Sequence, residues 1–266
     1  MTLVELFARA EAEAVNEAGD PDVYWELVSQ LHDAEPLAVW ALITPLVDHP
    51  DVRLRQLVPD VLRLLGHEAQ PLAMETLALF AMMVAAQPPA ELLACIANAC
   101  VDFHDGAVVT MLAPHAAHPD EAVREAVLHA LRRSSWPEAI AALITLSRDP
   151  VDELREWSTF ALGSQLPLVD GLEIRQALAV RLTDAHGPTR DEAVIGLGLR
   201  ADARALGPLR TQLERGFVGV ALFEAARALA APALLEPLKA LEQNAKLSPE
   251  ERGELGAAIA ACLPPN

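Results

Sequence analysis

Histidine and aspartate side chains between positions 102 and 118 have the chemistry of metal ligands. His115 and His118 are three residues apart and could present two imidazoles on one helical turn. The other members of this cluster are Asp102, His104 and Asp105. His118, however, also stands at a predicted helix start with a proline directly after it, and neither an HExxH nor a CxxC motif accompanies the cluster. We therefore interpret these histidines as turn and cap residues, and we predict neither a metal ion nor another cofactor.

Adjacent carboxylates occur at three places where general acid–base chemistry could be considered. The pairs are Asp152 with Glu153, Asp191 with Glu192, and Glu250 with Glu251. Each pair falls in the first turn of a predicted helix, where the partial positive charge of the helix N-terminus stabilises an anion. This structural explanation is sufficient for all three pairs, so we predict no catalytic residue among them.

The three cysteines, Cys95, Cys100 and Cys262, cannot all pair with one another. Cys95 and Cys100 are five residues apart in a predicted apolar helix, and no basic residue lies between Arg63 and Arg124 to lower a thiol pKa locally. We interpret these two cysteines as core residues, and we expect a reduced, cytoplasmic protein. Because no catalytic motif was found, the sequence favours a protein that is not an enzyme.

A repeated segment supplies the elements that would position these residues. Four copies of the segment align on Arg55, Arg124, Arg155 and Arg190. Six residues before the arginine stand His49, His118, Asp149 and Asp184. Five residues before it stand Pro50, Pro119, Pro150 and Ala185, and seven after it stand Leu62, Leu131, Leu162 and Leu197. Because proline is tolerated in the first turn of a helix, each copy predicts one helix that begins near the proline.

The copies also share an apolar face. Apolar or small residues fall at positions −1, +3, +6 and +7 relative to the arginine, which makes one buried helical stripe. In the copy around Arg124 these residues are Val123, Val127, Ala130 and Leu131. Position +6 is occupied by Val61, Ala130, Ala161 or Gly196. The small size of this position predicts that another helix passes close to it.

Weaker copies place Leu93 and Leu222 at the arginine position, so that successive arginine positions are 31 to 38 residues apart. A two-helix unit that recurs at this length predicts an all-α fold, a right-handed α-solenoid (α-α superhelix) of about seven helix pairs. We expect a single solenoid over residues 1–266. Its parts are a capping helix (1–18), divergent acidic repeats (19–117), the clearest repeats (118–215), and a degenerate repeat with a capping helix (216–266).

The strings DPVDELREWSTFALG and WPEAIAALITLSRDP resemble HEAT-like repeats of the phycobilisome-lyase type, a group found in bacterial proteins. The resemblance is clearest over residues 119–215. It implies a ladder of acid–arginine pairs between neighbouring units, which here would pair Asp149 with Arg155 and Asp184 with Arg190. The remaining ladder arginines are Arg55 and Arg124, for which histidines replace the acid. The family includes bilin lyases and scaffold proteins, so the repeat alone transfers no activity.

The formal charge of −18 is unevenly distributed. Residues 1–120 hold 18 acidic against 4 basic side chains, a net charge of −14, whereas residues 121–266 hold 20 against 16, a net charge of −4. The acidic half should repel nucleic acid and anionic membranes and attract basic protein surfaces. The longest apolar run has ten residues, and a membrane-spanning helix needs about 20. We also expect no signal peptide, because residues 1–14 carry three glutamates.

These observations predict a non-enzymatic, protein-binding scaffold or adaptor whose acidic concave surface engages a basic protein partner. An inhibitor or immunity-type protein is one version of this prediction. In HEAT-like stacks the second helix of each pair lines the concave side, which suggests the contact residues Glu35, Trp40, Glu68, Glu75, Asp102 and Asp105. The alternatives are that Trp40 is buried in the core and that the acids form a solvated edge.

Two enzymatic alternatives also follow from the resemblance. A bilin lyase-like or chromophore-handling enzyme would bind a bilin. A nucleic-acid enzyme of the alkyl-base glycosylase kind would need a basic groove and aromatic side chains that stack on bases. The net charge of −18 and the single tyrosine disfavour the second alternative.

Overall fold

The computed structural model describes residues 1–65, 72–244 and 246–264, with the side chains of residues 64 and 65 excepted. Within those residues every regular element is helical, and there are sixteen α-helices. The chain divides into two compact units, residues 1–138 and 139–266. The all-α, α-solenoid class predicted from the repeat is thus confirmed, and the single solenoid over the full length stays a prediction.

The first unit consists of a capping helix followed by alternating first and second helices. Its helices are α1 (Leu3–Ala14), α2 (Pro21–His32), α3 (Pro36–Ile43), α4 (Val52–Leu65), α5 (Ala73–Ala85), α6 (Ala90–Ala99), α7 (Gly106–Leu112) and α8 (Glu121–Leu131). The first helices α2, α4, α6 and α8 pack side by side in that order, and the second helices α3, α5 and α7 pack against them. Short 3-10 turns at Thr44–Asp48 and Ala113–His115 extend α3 and α7.

The second unit continues the same alternation. Its helices are α9 (Pro137–Leu146, which begins at the junction), α10 (Asp152–Phe160), α11 (Leu172–Arg181), α12 (Gly187–Leu199), α13 (Leu206–Glu214), α14 (Val220–Leu229), α15 (Leu235–Leu241) and α16 (Pro249–Cys262). The first helices α10, α12, α14 and α16 pack on one another in that order. A π-helical turn, Ala161–Gln165, prolongs α10, and 3-10 turns at Ala203–Ala205 and Pro232–Leu234 precede α13 and α15.

Short polar side chains cap the N-termini of several of these helices. The hydroxyl of Ser248 accepts a hydrogen bond from the Glu251 backbone N–H at 3.2 Å, and the Glu251 carboxylate accepts one from the Ser248 N–H at 2.8 Å. This reciprocal capping box satisfies two N–H groups that have no partner inside the helix, as the Ser-Pro-Glu-Glu sequence predicts. The apolar pattern also predicts a helix over residues 69–86 with Pro71 in its first turn. The structure has α5 begin at Ala73, and Pro71 lies outside the described residues.

The predicted apolar stripe is buried. Val123, Val127 and Leu131 are inaccessible to solvent and Ala130 is nearly so. The close helix approach at position +6 is also confirmed, because a Cβ atom added to Gly196 would lie only 2.5 Å from the Cα of Gly163. The first helices α10 and α12 are therefore held close through backbone contact at this point.

The residue six positions before each arginine forms a turn that leads into the first helix. The imidazole Nδ1 atoms of His49 and His118 and the carboxylates of Asp149 and Asp184 all accept a hydrogen bond from the backbone N–H two residues later, at 3.0 to 3.1 Å. Histidine therefore substitutes for aspartate at this position because its unprotonated ring nitrogen is an equivalent acceptor.

The arginine ladder exists, but its pairing differs from the one implied by the resemblance. Arg155 Nη1 donates to the backbone carbonyls of Asp149 and Pro150 at 2.9 and 3.1 Å, whereas its Nε and Nη2 bind the carboxylate of Asp184, in the next repeat, at 3.1 and 3.0 Å. Arg190 likewise contacts the carbonyl of Asp184 and not its carboxylate. Arg155 and Arg190 therefore contact Asp149 and Asp184 of their own repeats through backbone carbonyls, whereas an ion pair between neighbouring repeats joins Arg155 to Asp184.

A buried arginine stabilises the π-helical turn. Arg200, whose side chain is 1% exposed, donates hydrogen bonds to backbone carbonyls of the turn, of the segment that follows it and of α12. The acceptors are Leu162, Gly163, Leu166, Val169 and Gly196, at 2.6 to 3.3 Å. A buried guanidinium is tolerated when its donors are satisfied in this way.

Replacing Gly196 by alanine should destabilise the second unit by about 3 kcal/mol, because the new methyl group meets backbone atoms that cannot move aside. Gly256→Ala is the matched control. Nothing lies within 4 Å of a Cβ at that position in α16, so the substitution should stabilise the protein by ~0.5–1 kcal/mol. Urea unfolding of both variants measures the difference, and equal stabilities would mean that the close approach is absent.

Arg200→Met should cost about 3–5 kcal/mol, since it leaves several buried carbonyls without a donor. Arg204→Met serves as the control because the Arg204 side chain is 43% exposed and pairs with Asp202, an interaction worth less than ~1 kcal/mol. Both values come from denaturant unfolding monitored by circular dichroism. A small loss for Arg200→Met would contradict the stabilising role of this side chain.

Asp184→Asn should cost about 2–4 kcal/mol at pH 7, because the Asp184 side chain is 5% exposed and pairs with both Arg155 and Arg181. Burial opposes ionisation of Asp184, but the hydrogen bonds from Arg155 and from the His186 N–H outweigh it and hold its pKa below the usual value. The stabilisation by this charge is therefore complete above the unfolded pKa of ~3.9 and is lost as the pH falls through the lower folded pKa.

The stability difference between the wild type and Asp184→Asn should accordingly narrow in unfolding experiments below about pH 4. Asp152→Asn is the control, since that 64% exposed carboxylate contacts the same arginine and should contribute less than ~1 kcal/mol. A difference that persists unchanged at pH 2 would show that the Asp184 charge is not its source.

Candidate partner-binding groove

The predicted contact residues on the second helices do not converge on one cavity. The carboxylate of Glu35 accepts hydrogen bonds from the N–H groups of Leu37 and Ala38, and that of Asp105 accepts one from Ala107 at 2.7 Å, so both cap their own helices. The remaining described members of the set are Trp40, which is half-buried, and Glu75 and Asp102, which are exposed. Glu68 lies outside the described residues. The acidic second-helix surface stays a prediction.

The histidine cluster does not gather into a metal site within the described residues. The rings of His115 and His118 are 6.3 Å apart and tilted, and His118 Nδ1 is occupied by the turn contact to the Asp120 N–H. The cap interpretation of His118 is thus confirmed. In the part of the chain that the structure describes, no group of three or more His, Cys, Asp or Glu side chains could hold a metal ion.

Trp136 and Asp105 line a small cavity of about 220 Å³. The indole of Trp136 covers Gly106, where an added Cβ would lie 2.9 Å from a ring carbon. This tryptophan, although 53% exposed, therefore packs on the start of α7 in the way expected of a residue that fixes a turn.

A larger cavity of about 820 Å³ lies on the first helices of the first unit. We call it the N-terminal groove. It is lined by the segment that follows α1 and by α2, α4, α6 and α8. The repeat positions that line it in all three copies are −2 and +5 relative to the arginine position, occupied by Arg53, Glu91 and Ala122 and by Asp60, Asn98 and His129. The groove follows from stacking, because equivalent positions of consecutive first helices lie side by side.

A hydrogen-bonded cluster forms the floor of the groove. Asp60 accepts a hydrogen bond from the phenol of Tyr24 at 2.6 Å and one from the thiol of Cys95 at 3.2 Å. The Asp60 backbone carbonyl is 3.2 Å from Nε2 of His32. The cluster joins α2, α4 and α6, so one carboxylate holds three first helices in register.

Burial determines the protonation behaviour of this cluster. It raises the pKa of Asp60, although the hydrogen bonds from Tyr24 and Cys95 oppose the shift. Burial and the Asp60 charge also raise the pKa of the Tyr24 phenol and, well above its usual value, that of the Cys95 thiol. Burial alone raises the pKa of Cys100 to about 12. A raised thiol pKa disfavours the nucleophilic thiolate. Cys100 is a core residue as predicted, whereas Cys95 is half-buried and lines the groove.

Trp25 forms an exposed aromatic edge of the groove. Its ring is 46% exposed and packs edge-on against Tyr24, with the ring centres 5.2 Å apart and the planes at 75°. The indole thus packs on a tyrosine that is itself hydrogen-bonded to Asp60, and about half of the residue is accessible to solvent. A partly exposed tryptophan is the kind of side chain that dominates protein–protein interfaces.

Acidic side chains outnumber available basic ones along the groove. Glu13, Asp20 and Glu91 line it together with Asp60, and the basic side chains of the lining are Arg53, Arg63 and His129. Arg53 is engaged by neighbours, with Nη2 2.9 Å from the Asp51 carboxylate and Nη1 3.1 Å from the carbonyl of Val15. With four carboxylates against two arginines, the lining carries a negative formal charge next to an aromatic side chain.

The residue pattern led to no prediction of this groove, although two features of the sequence indicate it. Position +5 is polar in the first unit, at Asp60, Asn98 and His129, and apolar in the next copies, at Phe160 and Ile195. The only tyrosine of the chain, Tyr24, also stands directly before a tryptophan. A comparison of the exposed repeat positions would have pointed to the first helices.

Within the described residues, none of the helices combines the length and the apolar character needed to cross a bilayer.

Comparison with known proteins supports the helical repeat architecture. Residues 76–163 match the family model described as HEAT repeats. Protein YibA from two strains of Escherichia coli is 34% identical over 116 residues, which are 44% of this chain. The chain spans 41% of the length of these curated relatives in that match.

The X-ray structure of E. coli YibA is similar over 98% of this chain and 92% of that one, with 21% sequence identity and a TM-score of 0.74. At this identity the likeness establishes the fold alone. The phycobilisome-lyase type of repeat stays a prediction. The chain thus has a HEAT-repeat-like helical fold similar to that of a bacterial relative, with HEAT repeats matched at residues 76–163.

Proposed function

We propose that this chain is a non-enzymatic, protein-binding scaffold or adaptor whose N-terminal groove holds a basic segment of a partner protein. The observation that carries the proposal is the combination of an 820 Å³ groove, an exposed Trp25 at its edge and an acid-rich lining. A cavity of this size accommodates several side chains of an extended or helical peptide.

The aromatic and the acidic side chains would contribute to binding in different ways. Apolar contact with Trp25 would contribute most of the affinity, since buried aromatic anchors dominate interface energies. The acidic lining would accelerate encounter with a basic partner and make the binding sensitive to salt. The net charge of −14 over residues 1–120 extends this attraction beyond the groove itself and opposes binding to nucleic acid or to an anionic membrane.

The raised pKa values of the groove-floor thiol and phenol support binding rather than nucleophilic chemistry at this site. A cytoplasmic location fits the three free cysteines of the chain, and an inhibitor or immunity-type role fits the acidic groove. Among the described residues, no contact favours the alternative of a bilin lyase-like or chromophore-handling enzyme.

The test uses a fluorescein-labelled amphipathic peptide of alternating leucine and lysine, with a leucine–glutamate peptide as its counterpart. Trp25→Ala should weaken binding of the basic peptide at least tenfold in fluorescence polarisation. Trp136→Ala is the matched control because that tryptophan is 53% exposed and lies outside the groove. Equal losses for the two variants, with melting temperatures unchanged, would refute the groove as the binding site.

Charge reversal distinguishes the groove from the second-helix surface. Glu91→Lys, in the first turn of α6, should weaken binding and flatten its salt dependence, whereas Glu75→Lys, in the first turn of α5, should change neither. The opposite result would favour the second-helix surface. Equal affinity for the acidic and basic peptides would refute a basic partner.

A further inference from the structure

A second cavity in the first unit surrounds a ladder arginine. It has a volume of about 250 Å³ and is lined by Arg55 of α4, by the end of α5, and by the segment that leads into α6. Its walls combine the polar residues Asp48, Arg55 and Gln87 with apolar side chains that include Met82, Met83, Pro88 and Leu92. Arg53, Gln56 and Asp60 of the same helix line the N-terminal groove, so the two cavities involve different residues of α4.

The repeat identifies what an arginine at this position normally binds. Arg155 donates two hydrogen bonds to the carboxylate of Asp184, which stands six residues before the next arginine position. For Arg55 the corresponding residue in the next repeat is Gln87, six positions before Leu93. Gln87 lines the cavity, so the cavity lies where the ladder carboxylate would be expected. The backbone at Gln87 also departs from the helix-start pattern, with a positive φ of 54°.

One hydrogen-bond donor of the Arg55 guanidinium is correspondingly unsatisfied. Its Nε atom is buried and has no hydrogen-bond partner, whereas the equivalent atom of Arg155 donates to a carboxylate at 3.1 Å. A buried donor without an acceptor is costly and uncommon in folded proteins. Asp48 also lines the cavity, but among the described residues no carboxylate forms an ion pair with Arg55.

We propose that the Arg55 cavity is a binding site for an aliphatic carboxylate, whose two oxygens take the place of the missing ladder acid. The internal precedent is the paired contact of Arg155 with Asp184, made through Nε and Nη2. The methionine and proline walls would bury the hydrocarbon part of the ligand, and the volume suits a carboxylate of about five or six carbons. A free carboxylic acid and the C-terminal residue of a peptide share this chemistry.

Asp48 is the charged group that opposes such a ligand. Its carboxylate faces the same cavity and would repel an incoming anion. Removing this charge should therefore tighten ligand binding. In the alternative, the Asp48 carboxylate itself turns to pair with Arg55 in the free protein, and removing it would take away the partner of Arg55.

The probes are 4-methylpentanoate, 4-methylpentanamide, N-acetylleucine and N-acetylleucinamide, titrated at constant ionic strength into ¹⁵N-labelled protein. The readout is the Arg55 Nε–Hε signal, assigned by its loss in Arg55→Lys. Both acids should shift this signal downfield with saturation, and both amides should leave it in place. A response to 4-methylpentanoate alone identifies a free acid as the ligand, and tighter binding of N-acetylleucine identifies a peptide terminus. Equal shifts with acids and amides would overturn the proposal.

Substitutions complete the test. Arg55→Gln should abolish saturable binding of 4-methylpentanoate yet retain the wild-type melting temperature, because the side chain has no partner to lose. Asp48→Asn should tighten binding at least threefold, and Arg9→Gln, a surface control, should have no effect. Binding that survives Arg55→Gln would refute the site. An Arg55 signal that already lies downfield in the ligand-free wild type and moves upfield in Asp48→Asn would show that Asp48 is an internal partner and would also refute it.

Discussion

The structure depends on the close packing of successive first helices through small side chains at one repeat position. In the second unit this packing reaches backbone contact between Gly163 and Gly196. Because a single two-helix unit cannot bury its own apolar stripe, each first helix needs a neighbour to cover it. The short separation also brings equivalent positions of consecutive helices together, so one polar residue per repeat becomes a row of polar residues along the surface of the stack.

The arginine ladder and Arg200 supply hydrogen-bond donors to backbone carbonyls near helix ends. Arg155 donates to two carbonyls of the segment entering its own helix and to a carboxylate of the next repeat. Arg200 satisfies the carbonyls that the π-helical turn leaves without helical donors. In both cases a long cationic side chain supplies several donors that face in fixed directions, which a lysine could not do.

The same repeat positions serve different purposes in different copies. Position +5 carries Asp60 in the first unit, where it anchors Tyr24 and Cys95, and carries Phe160 in the second, where it packs edge-on against Trp157. Likewise the ladder position is complete at Arg155 and incomplete at Arg55, where a cavity takes the place of the acid. The candidate sites therefore arise at positions where the copies of the repeat differ in sequence, because the residues that the copies share are buried in contacts between helices.

The sequence alone determined the helix pairs, their first turns and the buried stripe, because these depend on local periodicity and on proline and capping residues close to each helix start. It also placed Cys100 in the core, because Cys100 stands in an apolar helical segment. Only the tertiary structure decided which arginine meets which acid, because a side chain can turn toward its own helix or toward the neighbouring one, and that choice depends on the distance between helices. The N-terminal groove and the Tyr24–Asp60–Cys95 cluster could not be predicted for the same reason. The members of the cluster are up to 71 residues apart and those of the groove up to 116, and only stacking brings them together.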